Sequence, residues 1–519
     1  MIVEPGFYDW DHVWRDANPE TLRMVRDVVD VDDEPSAYDV ANASPAGAAR
    51  CVVPDQRRDG IAAQVYALWS RDSGGIGDLE DVADLARASG AQLLLLSPLH
   101  APLPGLPQQA SPYFPSSRQY RNPLHLRVSG VPATNDPSEI IGRDKVWETK
   151  LAALMRQWEG FGGDPRFDAY VAREGDDLVR YATFCALSDF FGRPWSSWPS
   201  ELLHPAGVGV RAFAVERAER VRFHQWLQWR IDEQLGEAAN AGAGLIHDVA
   251  VGVDPAGADA WMWQDLFAPG FHIGAPPDEF NQAGQDWGLP PMVPAKLRAA
   301  QYRPIQAALA AAARHGAGFR IDHVMGLFRL YWVPDGGSPA DGVYVRYPAR
   351  EMLDMVAGVS QRSGAFAVGE DLGTVEPGVR EALAARGILS YKVLWFEDDA
   401  PGDWPELSLA SVTTHDLPTI AGVWGGTDAD PAIRERLERV VGADDLSTDE
   451  VIARVHARLG TAASRAVVVT AEDLIGVTER PNQPGTTERW NWSRRLPVPV
   501  EDVAAAYRRL HRAARATPR

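Results

Sequence analysis

Short runs of mostly apolar residues recur along the chain and alternate with longer amphipathic stretches. Such runs are typical of strands that are covered on both faces of a parallel sheet. Eight of them lie at 64–68, 93–98, 245–251, 318–323, 366–372, 391–396, 410–416 and 466–471. Helical patterns lie at 78–88, 296–315, 350–362, 376–386 and 500–515. This alternation predicts an α/β fold, a (β/α)8 TIM barrel with large helical and loop insertions.

The barrel accounts for only part of the sequence. A minimal barrel needs roughly 250 residues, whereas the chain has 519. Between the second and third strands, at about 140–240, the pattern is helical with interrupting loops, which predicts an inserted helical subdomain. Residues 1–60 are acidic, are interrupted by Ala and Pro, and predict an N-terminal arm or cap. The remaining 61–519 is expected to form one barrel unit.

Composition excludes several kinds of partner. The formal net charge is −20, and both nucleic acid and anionic membranes require basic surfaces, so neither is an expected partner. No stretch approaches the ~20 apolar residues of a membrane-spanning helix. The first residues lack the basic and apolar regions of a secretory signal, so a cytoplasmic protein is expected. Two cysteines without CxxC spacing, Cys51 and Cys185, predict neither a disulfide framework nor a zinc site.

Three acidic segments in the second half each end one of the apolar runs. They are 318–323, 369–373 and 413–418, and they place Asp322, Glu370 and Asp416 where a strand gives way to a loop. All strands of a (β/α)8 barrel end on the same face, so these side chains are expected to converge. Cleavage of a glycosidic bond requires carboxyl groups placed in this way. The sequence therefore indicates a carbohydrate-active enzyme.

The residue types suggest a role for each carboxyl group. Retaining glycosidases use a carboxylate nucleophile and a carboxylic acid as proton donor, ~5–5.5 Å apart. Arg320 shares a strand face with Asp322 and is expected to lower its pKa, as suits the nucleophile. Glu370, if it is buried, has a raised pKa and suits the proton donor. Asp416, beside His415, is expected to bind sugar hydroxyls and to stabilise positive charge in the transition state.

Other interpretations of these carboxyl groups stay open at this point. A single Asp at a strand end often caps a helix or joins an ion pair. Clustered Asp, Glu and His can also hold a metal ion, but neither HxH nor HExxH occurs, so no metal or other cofactor is predicted. The 18 tryptophans favour a sugar ligand, because planar rings stack on the C–H faces of sugars.

Further motifs extend from about Tyr66 to Arg495. The most specific are 274–278 followed by 284–291, and 319–326. The others are Gly75–Asp78, Ser111–Tyr113, Pro115–Arg118, Asn122–Pro123, Asp248–Val253, Gly369–Gly373, Thr414–Pro418 and Asn482–Thr486. Together these stretches resemble the 4-alpha-glucanotransferase family (amylomaltase or disproportionating enzyme), which is glycoside hydrolase family 77 of the alpha-amylase superfamily.

The resemblance implies a cofactor-free transfer of alpha-1,4-glucan segments with retention. The donors would be maltooligosaccharides or other alpha-1,4-glucans, and the acceptors glucose or an oligosaccharide. Asp322 matches the family nucleophile that forms the glucosyl-enzyme, Glu370 the general acid/base, and Asp416 the transition-state stabiliser. The residues implied to bind substrate are Tyr113, Asp248, Gln285, Trp287, Arg320, His323 and His415.

The segment at about 274–291 is implied to be a flexible lid over the acceptor sites. It is rich in Gly, Pro, Asn and Gln and carries Trp287 among polar neighbours, which fits a lid, although a plain surface loop is the alternative. A lid that excludes water favours transfer over hydrolysis. Two other functions therefore stay open: an alpha-glucan hydrolase of the same fold with a wetter acceptor side, and a catalytically silent glucan-binding protein.

Overall fold

The centre of the molecule is a closed barrel of eight parallel strands. The computed structural model describes residues 2–8, 13–29, 38–133, 140–278, 281–428, 430–442, 445–486 and 490–516. In chain order the barrel strands are Arg58–Ala63, Leu93–Leu96, Gly244–Val249, Gly318–Ile321, Phe366–Gly369, Leu389–Val393, Ser408–Ser411 and Ala466–Thr470. Each strand pairs with its neighbours in sequence, and the eighth pairs with the first. The predicted (β/α)8 barrel is confirmed.

The predicted position of the first strand is wrong, whereas the other seven predicted strands overlap observed ones. The first strand is Arg58–Ala63, and the apolar run Val65–Ala67 forms a 3-10 turn beyond it. The strand opens with two charged residues and contains Gly60, so it lacks an apolar pattern. A Cβ at Gly60 would lie 2.3 Å from the Leu93 carbonyl oxygen of the next strand, which accounts for the glycine.

α-Helices cover the barrel and fill its insertions. They are Pro19–Val28, Leu79–Ser89, Arg143–Glu159, Pro165–Phe191, Val208–Glu216, Ala218–Ala239, Ala258–Met262, Pro294–Ala299, Arg303–Ala313, Ala349–Ser363, Val379–Ala385, Ile420–Gly425, Pro431–Val441, Thr448–Leu459, Ala471–Leu474 and Val500–Ala516. The helix predicted at 296–315 is two helices, separated where Gln301 and Tyr302 adopt positive φ. No helix in the described ranges is long and apolar enough to cross a membrane. The cytoplasmic location stays a prediction.

Four of these helices lie between the second and third strands, where the helical insertion is predicted. Trp158 on the first of them stacks on Phe161 at 5.6 Å and contacts Trp226 on the fourth at 5.9 Å, measured between ring centroids. Trp226 belongs to the same buried cluster as Leu94 and Leu245 of the barrel strands. The helices are thus packed onto the barrel, and the subdomain boundary at about 140–240 stays a prediction.

The N-terminal segment attaches to a second sheet beside the barrel. Strand Gly6–Tyr8 pairs with Trp14–Asp16, and Val3 forms a bridge with Val345 of that sheet. Residues 1, 9–12 and 30–37 of the predicted arm lie outside the described residues. Residues 58–60 belong to the first barrel strand, so the arm predicted at 1–60 ends before them. Its assignment as a cap is otherwise a prediction.

The second sheet has four antiparallel strands. Their spatial order is Val343–Arg346, Arg329–Pro334, Phe271–Ala275 and Gln285–Leu289. The last two form a hairpin, so the segment predicted as a lid loop is a hairpin at the sheet edge; its residues 279 and 280 are outside the described part. A further short pair, His100–Ala101 with Ser117–Arg121, lies after the second barrel strand.

A buried ionic network joins the helix after the first strand to the segment that precedes the helical insertion. Asp78 caps the helix after the first strand, and its side chain and that of Asp81 are fully buried. The Arg127 guanidinium donates to both carboxylates, and Ser70 donates to Asp81 at 2.7 Å. Burial and the Asp78 charge raise the pKa of Asp81 to about 6. Without Arg127, two carboxylates would be buried without the cation that hydrogen-bonds to them.

Replacing Arg127 with Ala is expected to lower the free energy of unfolding by about 3–5 kcal/mol, because it leaves these carboxylates unpaired. Calorimetry would show this as a lower Tm. The control is Arg87→Ala, since exposed Arg87 pairs with Glu80 and Asp84 and should cost less than about 1 kcal/mol. Equal losses in the two variants would contradict the role given to Arg127.

Candidate active site

The barrel strands bring the predicted residues to one face. Asp248 lies near the end of the third strand and pairs in register with Arg320 of the fourth. Glu370 directly follows the fifth strand, and its main-chain N–H donates to the Ile321 carbonyl at 3.0 Å. His415 and Asp416 lie in the loop after the seventh strand. The convergence expected from parallel strands in a barrel is thus present.

Arg320 is the central cation of this face. Its Nη1 donates to Asp248 Oδ1 at 2.7 Å and to Asp322 Oδ1 at 2.9 Å, and Arg320 is only 4% exposed. Burial lowers the pKa of Arg320, but the two carboxylates more than offset this, and it lies well above its usual value. Arg320 therefore stays charged, and the predicted contact with Asp322 is present.

The prediction that Asp322 has a lowered pKa is wrong for the site as a whole. Burial raises the pKa of the Asp322 carboxyl, Arg320 lowers it, and the neighbouring Asp248 raises it again. The net direction is upward. The prediction considered only the guanidinium, whereas Arg320 is shared between two carboxylates. The shared cation still orients Asp322 through its hydrogen bond.

Glu370 is held by main-chain donors. The N–H of His323 donates to its Oε2 at 2.8 Å, and the N–H of Leu372 donates to its Oε1 at 2.9 Å. His323 has φ +46°, a left-handed conformation that is uncommon for a side chain of this size. Removal from water, together with the Asp322 charge, raises the pKa of Glu370 to about 7 although Arg320 opposes this. The predicted direction of this shift is confirmed.

Asp416 is ionised and paired with a histidine. Burial raises its pKa, but His415 and a hydrogen bond from Asn482 more than offset this, so the pKa lies below its usual value. The distances are 3.4 Å from His415 Nε2 to Oδ2 and 2.7 Å from Asn482 Nδ2 to Oδ1. Burial lowers the pKa of His415, Asp416 raises it, and the net direction is upward. Each side chain therefore stabilises the charged form of the other.

Tyr113 connects these groups. Its hydroxyl donates to Asp248 Oδ2 at 2.6 Å and lies 3.2 Å from His415 Nδ1, and its ring stacks on His415 with centroids 4.7 Å apart. Burial and the Asp248 charge raise the pKa of Tyr113 well above its usual value, so the hydroxyl keeps its proton. Tyr113 therefore lies beside the carboxyl groups, with its ring against the imidazole.

The hairpin at 271–289 reaches the same face through one aromatic contact. Trp287 packs edge-on against His323, with ring centroids 5.3 Å apart. Its indole N–H donates to Gln285 Oε1 at 3.1 Å. Burial and Arg329 lower the pKa of His323 to about 4, so this imidazole is neutral. Gln285 and Trp287 thus lie on the side of the site formed by the hairpin.

Sequence analysis missed two residues that contact the predicted ones. Trp492 packs on Tyr113 and His415, with ring centroids 5.3 and 5.2 Å apart, and it adopts φ +61°. Asn482 binds Asp416 as described above. Asn482 belongs to the motif Asn482–Thr486, which contributes to the family resemblance but predicts no substrate-binding or catalytic role for Asn482. Among the described residues, no group of three or more His, Cys, Asp or Glu is arranged to hold a metal ion.

Comparisons with known proteins identify the family to which the chain is similar. The family model for 4-alpha-glucanotransferase matches residues 63–500. A 4-alpha-glucanotransferase from Mycobacterium tuberculosis is 42% identical, over 88% of this chain and 75% of its own. One from Haemophilus influenzae is 30% identical, over 86% and 77%. The crystal structure of amylomaltase from Corynebacterium glutamicum has a TM-score of 0.83 and 26% identity, over 99% of this chain and 98% of its own.

These matches confirm the family resemblance found in the sequence. The family model spans most of the barrel, including the loops that carry Asp322, Glu370 and Asp416. The structural neighbour shares the fold over nearly the whole chain. The chain therefore belongs to the 4-alpha-glucanotransferase family and is an enzyme of that family.

Proposed function

We propose that the enzyme transfers alpha-1,4-glucan segments with retention, through a glucosyl-enzyme formed on Asp322. The observation that carries this proposal is the contrast between two neighbouring carboxyl groups. Asp322 accepts a hydrogen bond from the charged Arg320, whereas the described donors to Glu370 are main-chain N–H groups and its pKa is about 7. Retaining chemistry needs one ionised and one protonated carboxyl group.

In the first step, Asp322 attacks the anomeric carbon of the donor. The bond from that carbon to the glycosidic oxygen breaks, and Glu370 gives its proton to the departing oxygen. In the second step, Glu370 takes the proton of an acceptor hydroxyl. The hydroxyl oxygen attacks the same carbon and releases the Asp322 carboxylate, so the configuration is retained.

The remaining residues have binding roles in this proposal. The ionised Asp416 faces the positive charge that develops on the sugar ring, and the side chain of Asp416 is 39% exposed toward the open face. His415, Tyr113 and Asp248 form a connected polar wall for the donor hydroxyls. A donor such as a maltooligosaccharide would bind along this wall without a cofactor.

The hairpin supplies the acceptor side and favours transfer over hydrolysis. Trp287 and Gln285 contact each other and reach the site through His323. A glucosyl-enzyme partitions between water and sugar, and a cover that displaces water favours the sugar. An acceptor such as glucose or an oligosaccharide would bind between this hairpin and Glu370. An alpha-glucan hydrolase of the same fold is the alternative.

Incubation with maltotriose tests the proposed function. Transfer is expected to give longer and shorter maltooligosaccharides with no net gain in reducing ends. Asp322→Asn should lose activity by roughly 10³-fold or more, because it removes the nucleophile. Reducing ends that rise without products longer than maltotriose would show a hydrolase instead.

The pH dependence of kcat/KM should report the carboxyl pair. Catalysis needs Glu370 protonated, so activity should fall as the pH rises through its pKa of about 7, and it should fall at low pH as Asp322 gains a proton. In Glu370→Gln the alkaline decline should disappear.

The activity of Glu370→Gln should fall by about 10²-fold or more with maltotriose but by less with alpha-glucosyl fluoride, whose leaving group needs no proton. Equal losses with both donors would count against the acid role.

Trp287→Ala is expected to lower the ratio of transfer to hydrolysis several-fold, because water would then reach the glucosyl-enzyme. The ratio is measured from maltotriose products, with free glucose and longer oligosaccharides quantified together. Trp14→Ala serves as the control, since Trp14 is exposed on the N-terminal hairpin. An unchanged ratio in Trp287→Ala would exclude the hairpin as a barrier to water.

A further inference from the structure

Two loops at the barrel mouth are joined beside Asp416. One follows the seventh strand and carries His415 and Asp416, and the other follows the eighth strand and carries Arg480 and Asn482. The Asn482 N–H donates to the His415 carbonyl at 3.0 Å, and its side chain donates to Asp416. The position of Asp416 therefore depends on the neighbouring loop.

Arg480 makes three directed hydrogen bonds in this region. Its Nε and Nη2 donate to the two carboxylate oxygens of Asp428 at 2.7 and 2.6 Å, and its Nη1 donates to the main-chain carbonyl of Asp416 at 2.8 Å. Both side chains of the ion pair are 14% exposed. A bidentate pair fixes the plane of the guanidinium, so the third donor has a fixed direction.

Other contacts join the segments after the seventh and eighth strands farther from Asp416, partly through helices Ile420–Gly425 and Ala471–Leu474. The Thr419 hydroxyl donates to the Val477 carbonyl at 2.7 Å, and the Ile420 N–H donates to Asp473 Oδ1 at 2.8 Å. A Cβ at Gly422 would lie 2.3 Å from the Thr478 carbonyl oxygen, so the loops approach closely. These contacts set the spacing of the loops, whereas Arg480 binds the Asp416 residue itself.

We propose that Asp428 and Arg480 are a positioning pair for Asp416 in glucosyl transfer. Asp428 orients the Arg480 guanidinium, which fixes the main chain of Asp416 so that its carboxylate faces the reacting sugar. Arg480 acts through Asp416 and is therefore a positioning residue. The inference rests on the proposed function, in which Asp416 stabilises the transition state.

The first test is the kinetics of Arg480→Lys, which keeps the charge and loses the fork that makes two parallel hydrogen bonds. A displacement of the Asp416 carboxylate by about 1 Å should lower kcat roughly 10²-fold with little change in KM for maltotriose. Asp428→Asn should lower kcat in the same way, by less. The control is Arg298→Lys, whose bidentate pair with Glu351 joins two outer helices and should leave kcat unchanged.

A second test separates positioning from general stability. The assay uses alpha-glucosyl fluoride as the donor, because its good leaving group makes the low activity of weak variants measurable. Arg480→Lys should lose as much activity with this donor as with maltotriose, because positioning of Asp416 does not involve the leaving group. In an Asp416→Asn background, Arg480→Lys should cost little more, since the two changes remove the same interaction. A loss of equal size in both backgrounds would overturn the proposal and leave Arg480 a merely structural residue.

The outcomes distinguish this inference from the proposed function. Assays are run well below the Tm of every variant, and thermal unfolding confirms that each is folded. If the unmodified enzyme gives no transfer ladder from maltotriose, the proposed function fails. If the enzyme gives the ladder and Arg480→Lys keeps its kcat, only the positioning pair is overturned.

Discussion

A single buried guanidinium allows the barrel mouth to hold two carboxylates side by side. Arg320 donates to Asp248 and Asp322, and removing it would leave two negative charges without a cation. Glu370 is hydrogen-bonded to no cation among the described residues, and burial together with the Asp322 charge raises its pKa to about 7, although Arg320 opposes this. Burial and the position of Arg320 thus give the two carboxyl groups different environments, which the proposed nucleophile and acid roles require.

Two residues of the site, His323 and Trp492, adopt a left-handed backbone conformation that brings them into contact with other site residues. His323 adopts φ +46°, and this turns its main-chain N–H toward Glu370. Trp492, at φ +61°, places its ring on His415 and Tyr113. Such conformations cost about 1–3 kcal/mol each and persist where surrounding contacts enforce them. In both cases the uncommon conformation allows the residue to contact another residue of the site.

Periodicity predicts the barrel because buried parallel strands are apolar, and it places Asp322 and Glu370 because parallel strands end on one face. It fails for strand Arg58–Ala63, where charged residues and Gly60 replace the apolar pattern. The contact between Tyr113 and His415 could not be predicted from spacing, since it joins loops that are distant in sequence. The upward direction of the Asp322 pKa was missed because the prediction considered only Arg320, and left out burial, which raises the pKa most, and the neighbouring Asp248 charge.

The two sides of the site are built differently, and this difference suits a transfer reaction. The proposed donor wall consists of groups that hydrogen-bond to one another, among them Tyr113, Asp248 and Arg320. The proposed acceptor side ends in strand Gln285–Leu289, which among the described residues pairs with one strand and lies at the edge of its sheet. In the proposed mechanism the glucosyl group stays on the donor wall while acceptors exchange. The hydrogen bonds described for Asp322, Glu370 and Asp416 come from residues outside this hairpin, so the carboxyl groups are held independently of the proposed acceptor side.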